Sequence, residues 1–217
     1  MRVFIGYESS GVVREAFRAR GHDAWSCDYQ DADDGSQHHL KGDVWSFIGG
    51  DWDLRIVHPT CTFLTNAAEW AFPDPNFVKY PEIGYHQRVK PGTLVGADRR
   101  LARQKALAEI RKLMSLSGRL CIENPKGAIG SRIRRPTQVI HPHQFGEDAS
   151  KGTCLWLDGL LPLVPTKHVA PRMVGDSPRW ANQTDSGQNK LSPSADRWKL
   201  RSKTYQGIAD AMAAQWG

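Results

Sequence analysis

Four groups in this 217-residue chain carry side chains able to do chemistry, and each stands just past an apolar run. Pro59-Thr60-Cys61 follows Asp53-Leu-Arg-Ile-Val57 and His58. Glu123-Asn124-Pro125 follows Gly118-Arg-Leu-Cys-Ile122. Asp28 closes the run that begins at Ala24, and Tyr7-Glu8-Ser9-Ser10-Gly11 follows the first run, residues 2–6. A thiol in a proline-bearing loop is a candidate nucleophile, activated if it is exposed beside a helix N-terminus; it also reads as an ordinary loop cysteine. An acid just outside an apolar strand is a candidate for a raised pKa and proton donation, or for a capping or salt-bridged role. A loop of small residues ahead of a helix lets a ligand approach the backbone, and an acid at the end of the next strand can bind ribose hydroxyls. That loop has no G-x-G-x-x-G and no phosphate-loop lysine. It therefore points to a cofactor without a pyrophosphate, or to a plain strand-to-helix turn. Asp43, in Gly42-Asp43-Val44, reads as a second cofactor contact or as a helix N-cap.

The remaining thiols separate from Cys61 by their neighbours. Cys27, Cys121 and Cys154 lie inside apolar runs and read as inert buried cysteines. His38-His39 and His141-Pro142-His143 lack partners at metal spacing, so no metal site is expected.

The elements that must position these groups follow from hydrophobic patterning. Strands are expected at residues 2–6, 24–28, 53–57, 118–122 and 153–157. Helices are expected at 11–20, at 98–114 with Asp98 as its N-cap, and at 206–215. The early alternation of strand and helix predicts an α/β fold with a Rossmann-like, doubly wound, mostly parallel sheet. Ligands of such sheets sit outside the carboxyl ends of the strands, where all four groups fall. Two stretches break the alternation. Residues 70–96 are rich in Pro, Gly and aromatics, and residues 166–203 are polar, basic and interrupted by prolines.

Composition narrows the class. Hydrophobic residues make up 40% and charged residues 24%, as in a globular chain of one ordinary domain, or one with a small appendage. No apolar run approaches the roughly 18 residues of a membrane span, and the opening run is too short for a signal peptide. Four scattered cysteines without a C-x-x-C pair argue against a disulfide framework or zinc ribbon and for a reducing cytoplasm. The net charge is +6, and residues 166–203 hold eight Lys and Arg against three Asp. That segment reads as a nucleic-acid contact or as a solvated loop.

The order of these motifs resembles the C5-cytosine DNA methyltransferases, and more closely the short phage-type members of that family. The most specific parts are Asp53-Leu-Arg-Ile-Val-His-Pro-Thr-Cys61 and Cys121-Ile-Glu-Asn-Pro-Lys-Gly127. The resemblance implies an S-adenosylmethionine-dependent methyltransferase fold: a catalytic domain over residues 1–165, a small basic segment over 166–203 in place of a recognition domain, and a returning helix over 204–217. By position Cys61 falls on the family's nucleophile, and Glu123 and Asn124 on the motif that grips the flipped cytosine. Tyr7, Glu8, Ser9, Ser10, Gly11, Asp28, Asp43, Pro59 and Tyr205 fall on the cofactor pocket. Lys151 and Thr153 stand where the family has two arginines, for which Arg132, Arg134 or Arg135 are substitutes. Thr62 replaces the glutamine that usually follows the Cys, and Pro125 the usual valine.

The implied activity is methyl transfer from S-adenosylmethionine to C5 of cytosine in duplex or single-stranded DNA, with low or relaxed sequence specificity. Arg179, Trp180, Arg197 and Lys199 are the expected nucleic-acid contacts in the basic segment. Trp70, Phe72, Phe77 and Tyr80 form either a cover for the site or an ordinary lid. The competing readings are a methylase of free deoxycytidine nucleotides or RNA, and a non-catalytic S-adenosylmethionine- or DNA-binding module.

Overall fold

The computed structural model describes residues 1–194 and 197–217; residues 195 and 196 lie outside it, as do the side chains of residues 67 and 68. Asp196, counted among the acids of the basic segment, thus lies outside the described residues. The chain divides into two compact units. The first is Met1–Pro59, Ser117–Glu123 and Pro136–Gly217, and the second is Thr60–Leu116 and Asn124–Arg135.

The first unit is built on a sheet of seven strands. In chain order they are Arg2–Gly6 (β1), Asp23–Asp28 (β2), His39–Lys41 (β3), Leu54–Val57 (β4), Arg119–Pro125 (β5), Gln138–Ile140 (β6) and Thr153–Asp158 (β7). The order across the sheet is β3-β2-β1-β4-β5-β7-β6. The pairs β3–β2, β2–β1, β1–β4 and β4–β5 are parallel, whereas β6 and β7 are antiparallel. This is a mixed α/β fold with a mostly parallel sheet, compatible with a Rossmann-like arrangement, as the alternation predicts. The five expected strands form because each is a short, largely apolar run, the pattern of a strand covered on both faces, with Ser26 in β2 and Arg55 in β4 as polar exceptions. Val3, Ile5, Leu54, Ile56 and Leu155 are fully buried. Each such side chain contributes about 1.5–3 kcal/mol. Gly6 ends β1 where a Cβ would come within 3.0–3.2 Å of Val57, Phe4 and Val44.

Helix Val12–Arg18 (α1) is packed against the C-terminal helix Gln206–Trp216 (α5). Trp216 is buried, and its indole donates to the Leu161 carbonyl at 2.9 Å. Residues 166–203 are not structureless. They hold a hairpin, Arg172–Val174 (β8) with Ser177–Arg179 (β9), and a short helix, Arg197–Ser202 (α4). The hairpin loop is two residues long, with Gly175 at φ +57°.

The second unit contains helices Gly96–Met114 (α2) and Ala128–Arg132 (α3) and a 3-10 turn at Asn66–Ala71. Helix α2 begins two residues before Asp98, behind an extended Val95 that makes no side-chain cap. Asp98 lies in the first turn, where its charge faces the positive end of the helix instead of capping an amide. No strand or α-helix occurs between residues 72 and 95. That stretch is held by side chains: Arg100 donates to the Phe72 carbonyl at 2.7 Å and pairs with Asp74, and Tyr85 donates to the Pro73 carbonyl at 3.1 Å. Trp70 packs edge-on against Tyr85 and His86. Among the described residues no helix is long and apolar enough to cross a membrane.

Candidate functional site

The loop after β1 is organised by Glu8. Its buried carboxylate accepts from the amides of Val13 at 2.8 Å and Arg14 at 3.3 Å, and from the Ser10 hydroxyl at 3.3 Å. Glu8 thus satisfies the first amides of α1, and Gly11, the residue ahead of the helix, is left-handed at φ +71°. Burial pushes the Glu8 carboxyl up, against the pull of His58, the two amides and Arg14. Tyr7 has φ +60°, the only non-glycine residue in the left-handed region among those described. The Ser9 carbonyl accepts from Asp33 N at 2.8 Å.

Asp28 ends β2. One of its carboxylate oxygens accepts from Gln30 N at 2.9 Å. Asp43 caps the 3-10 turn Val44–Ser46 by accepting from Trp45 N at 3.0 Å, so the capping alternative is realised. Each acid keeps a second oxygen with no donor among the described residues. Those oxygens are acceptors suited to ribose hydroxyls and an amine. Glu8 offers no such oxygen, because its carboxylate is committed to α1.

At the next strand ends the site acquires a residue whose role the sequence reading missed. His58 Nδ1 lies 3.2 Å from Glu123 Oε2, with the two side chains 11% and 15% exposed. Glu123 lines a small cleft with Lys151, Thr153, Thr204, Tyr205 and Ile208, with enclosed room for about one water molecule. The expectation of a raised Glu123 pKa is corrected. Burial does push its carboxyl up, but the His58 hydrogen bond and the charges of Lys151 and His58 outweigh burial and hold it below the usual carboxylate range. Lys151 Nζ also donates to the Arg201 carbonyl at 2.9 Å. Burial and Glu147 push the Tyr205 phenol up, against a hydrogen bond with Asn182. Pro59 is buried at the end of the first unit.

The basic segment satisfies much of its own polarity. Arg179 donates to the carbonyls of Asp185 and Pro178 at 2.9 and 2.8 Å. Trp180 stacks on His143 with ring centroids 4.3 Å apart, and its indole donates to the Val169 carbonyl. Lys199 and Lys203 both pair with Asp33, at 2.6 and 3.2 Å. Burial alone would raise the Asp33 carboxyl, but the two lysines hold it low. Arg197 is half-buried at the start of α4 and Trp198 is exposed.

In the second unit Cys61 is exposed, unlike Cys27, Cys121 and Cys154. No α-helix begins at Cys61. Its carbonyl accepts from Leu64 N and Thr65 N in a turn, so a helix N-terminus is not what acts on the thiol. The next three carbonyls are each pinned: Thr62 by Arg99 Nη2 at 3.1 Å, Phe63 by Arg103 Nε at 2.7 Å and Leu64 by Ala128 N at 2.7 Å. Arg99 and Arg103 are buried, and Arg103 lies over the Phe72 ring at 3.4 Å while pairing with Glu69 through both terminal nitrogens. These arginines were also missed by the sequence reading. The signal for them was their spacing of four in line with Leu107, which puts both on the inner face of α2. Phe72 belongs to this packed set, whereas Phe77 is exposed.

Asn124 is buried, and Arg132, Arg134 and Arg135 are exposed at and just after the end of α3. The second unit holds 13 Lys and Arg against 5 Asp and Glu, a net +8, and the first unit a net −2. Comparison of the chain with protein-family models finds no match, and neither does comparison with curated proteins.

Proposed function

We propose that this chain transfers a methyl group from S-adenosylmethionine to C5 of cytosine in DNA, through covalent attack of Cys61 on C6. The observation that carries the reading is Glu123, mostly buried and held ionised by His58 and Lys151 at the carboxyl edge of a parallel sheet. The exposed Cys61, on a turn fixed by buried arginines, supports it. The sheet order also supports it: β7 inserted between β5 and β6 departs from the dinucleotide-binding order 3-2-1-4-5-6.

In this reading S-adenosylmethionine, when bound, supplies a methyl group made electrophilic by its sulfonium. Asp28 and Asp43 would hold its ribose and amine groups, and Tyr7 to Gly11 would line its approach. Cytosine C5 is a weak nucleophile. Thiolate addition at C6 turns the ring into an enamine whose electron density lies at C5. Glu123 binds the N3 edge and Asn124 orders the turn that follows. After transfer, loss of the C5 proton and expulsion of the thiolate restore the aromatic ring. The base cannot be reached inside a duplex, so it is flipped or already unpaired. The net +8 of the second unit favours a polyanionic substrate over a free nucleotide.

The test is label transfer from methyl-labelled S-adenosylmethionine to duplex DNA, single-stranded DNA, RNA and deoxycytidine nucleotides, with Cys61→Ala in parallel. The expected product is 5-methylcytosine in DNA with the wild-type chain and none with the variant. Absence of labelled DNA, or label that survives Cys61→Ala, overturns the reading. Label confined to RNA or nucleotides changes the substrate.

A further inference from the structure

We infer that His58 is the proton-sharing partner of Glu123, and that this pair supplies the proton received by the pyrimidine N3 when C6 is attacked. The inference rests on the cytosine reading above.

Three observations carry it. His58 Nδ1 and Glu123 Oε2 are 3.2 Å apart, and both side chains are mostly buried. Histidine Nε2 is buried with no hydrogen-bond partner among the described residues. A purely structural histidine normally satisfies both ring nitrogens, because an unmatched buried polar atom costs about 1–3 kcal/mol. Among the described residues Glu123 is the one hydrogen-bond partner of the His58 ring. Finally, charged groups from two other parts of the first unit act on this pair. Glu8, from the loop after β1, interacts electrostatically with His58. Lys151, just before β7, acts on Glu123. Arg14 of α1 acts on Glu8 and is itself neutralised by Glu15 and Asp34. Lys151 helps to keep Glu123 ionised.

An ionised Glu123 has no proton of its own to give. Attack of the Cys61 thiolate on C6 forms the S–C6 bond and moves negative charge onto the ring. When His58 enters the step doubly protonated, the proton passes from its Nδ1 to the Glu123 carboxylate and on to N3. The imidazolium becomes an imidazole with its remaining proton on Nε2, the carboxylate regains its charge, and the ring is neutral. When the thiolate leaves, N3 returns the proton by the same route. His58 touches no reacting atom and is a positioning residue that acts through Glu123.

The test compares His58→Asn, His58→Ala and wild type in methyl transfer to DNA across pH. Asparagine keeps an N–H donor near the place of Nδ1 and carries no dissociable proton. The expected result is a kcat lower by about 100-fold in His58→Asn, in line with loss of one acid-base partner. KM for DNA changes little, and the pH dependence of kcat loses the limb due to the pair. A His58→Asn variant with wild-type kcat and pH profile overturns the inference, even if His58→Ala is inactive. A readout independent of methyl transfer separates this outcome from failure of the function itself. In ¹⁵N-histidine spectra of the full chain, Glu123→Gln is expected to change the protonation pattern of the His58 nitrogens. Unchanged His58 signals in Glu123→Gln overturn the pairing, whatever the chain methylates.

Discussion

His58 and Glu123 stand level on neighbouring parallel strands, each one residue past the Val57–Ile122 pair, and that register is what lets Nδ1 reach Oε2 at 3.2 Å. The two residues are 65 apart in sequence. The contact exists only because β4 and β5 pair, so the electrostatics of Glu123 are a property of the sheet.

This pair sets a pH dependence of stability. Glu123 has a folded pKa below its ordinary 4.5. Its contribution is therefore fully present above 4.5 and is lost as pH falls through the lower folded value. Replacing it by Gln removes a hydrogen bond to a charged group, worth about 2 kcal/mol, or about 4–8 °C in Tm. The deficit of Glu123→Gln is expected to be largest near neutrality and to vanish in acid. Glu8 carries the opposite sign. Its folded pKa lies above 4.5, so its contribution is present below 4.5 and lost as pH rises through the raised value. Melting curves of Glu123→Gln and Glu8→Gln between pH 3 and 8, each set against wild type, check the two trends. Difference curves of the same slope would refute the assignment.

Thiol reactivity gives a second prediction. Cys61 is exposed, whereas burial, with help from Asp28 and Asp43, pushes the Cys27 thiol up to about 12, and burial raises Cys121 well above its usual value. Only the thiolate alkylates at a useful rate. Iodoacetamide on the native chain is expected to add one label, mapped by mass spectrometry to Cys61, and four after unfolding. Early labelling of Cys27 or Cys121 would contradict the burial described above.

Steric closeness at Gly127 gives a third. A Cβ at this position would overlap the Leu64 carbonyl oxygen, the same oxygen that accepts from Ala128 N. The obstacle is backbone, so no rotamer relieves it. Gly127→Ala is expected to lose about 3 kcal/mol and to open the 61–72 stretch to proteolysis. Gly49→Ala, where a Cβ meets nothing within 4 Å, serves as control and is expected to stay within about 0.5 kcal/mol of wild type. Equal stability of the two variants would count against the packing of Gly127 on Leu64.

Strands β1, β5 and β7 were legible from runs of apolar residues, and β2 and β4 from short apolar runs interrupted by one polar residue each, Ser26 and Arg55. Strands β3 and β6 have three residues each, too few for any period to register. Glu123 was legible as a chemically able group at the end of an apolar run, but the direction of its pKa was not. Its sequence neighbours are apolar and argue for a raised value, whereas the partner that reverses this arrives from another strand. His58 was given no role, since nothing local marks it as the residue level with Glu123. On α2, Arg99 and Arg103 carry no local mark of their role: their guanidinium groups lie over Phe63 and Phe72 and their donors hold the turn after Cys61. The net +8 escaped a window-by-window reading because its carriers come from two separated stretches of chain.

That discontinuity bears on how the protein can be inherited. The second unit is assembled from chain on both sides of Ser117–Glu123, the stretch that gives the sheet most of β5. No single excision removes the unit without taking a sheet strand with it, and no single crossover replaces it. A recombination event that swapped residues 60–116 alone would join a foreign Cys61 turn to a resident Gly127 that must fit against it. Variants with altered second units are therefore expected to arise by point changes within both stretches, or to come from parents similar enough at Leu64 and Gly127 for either half to accept the other.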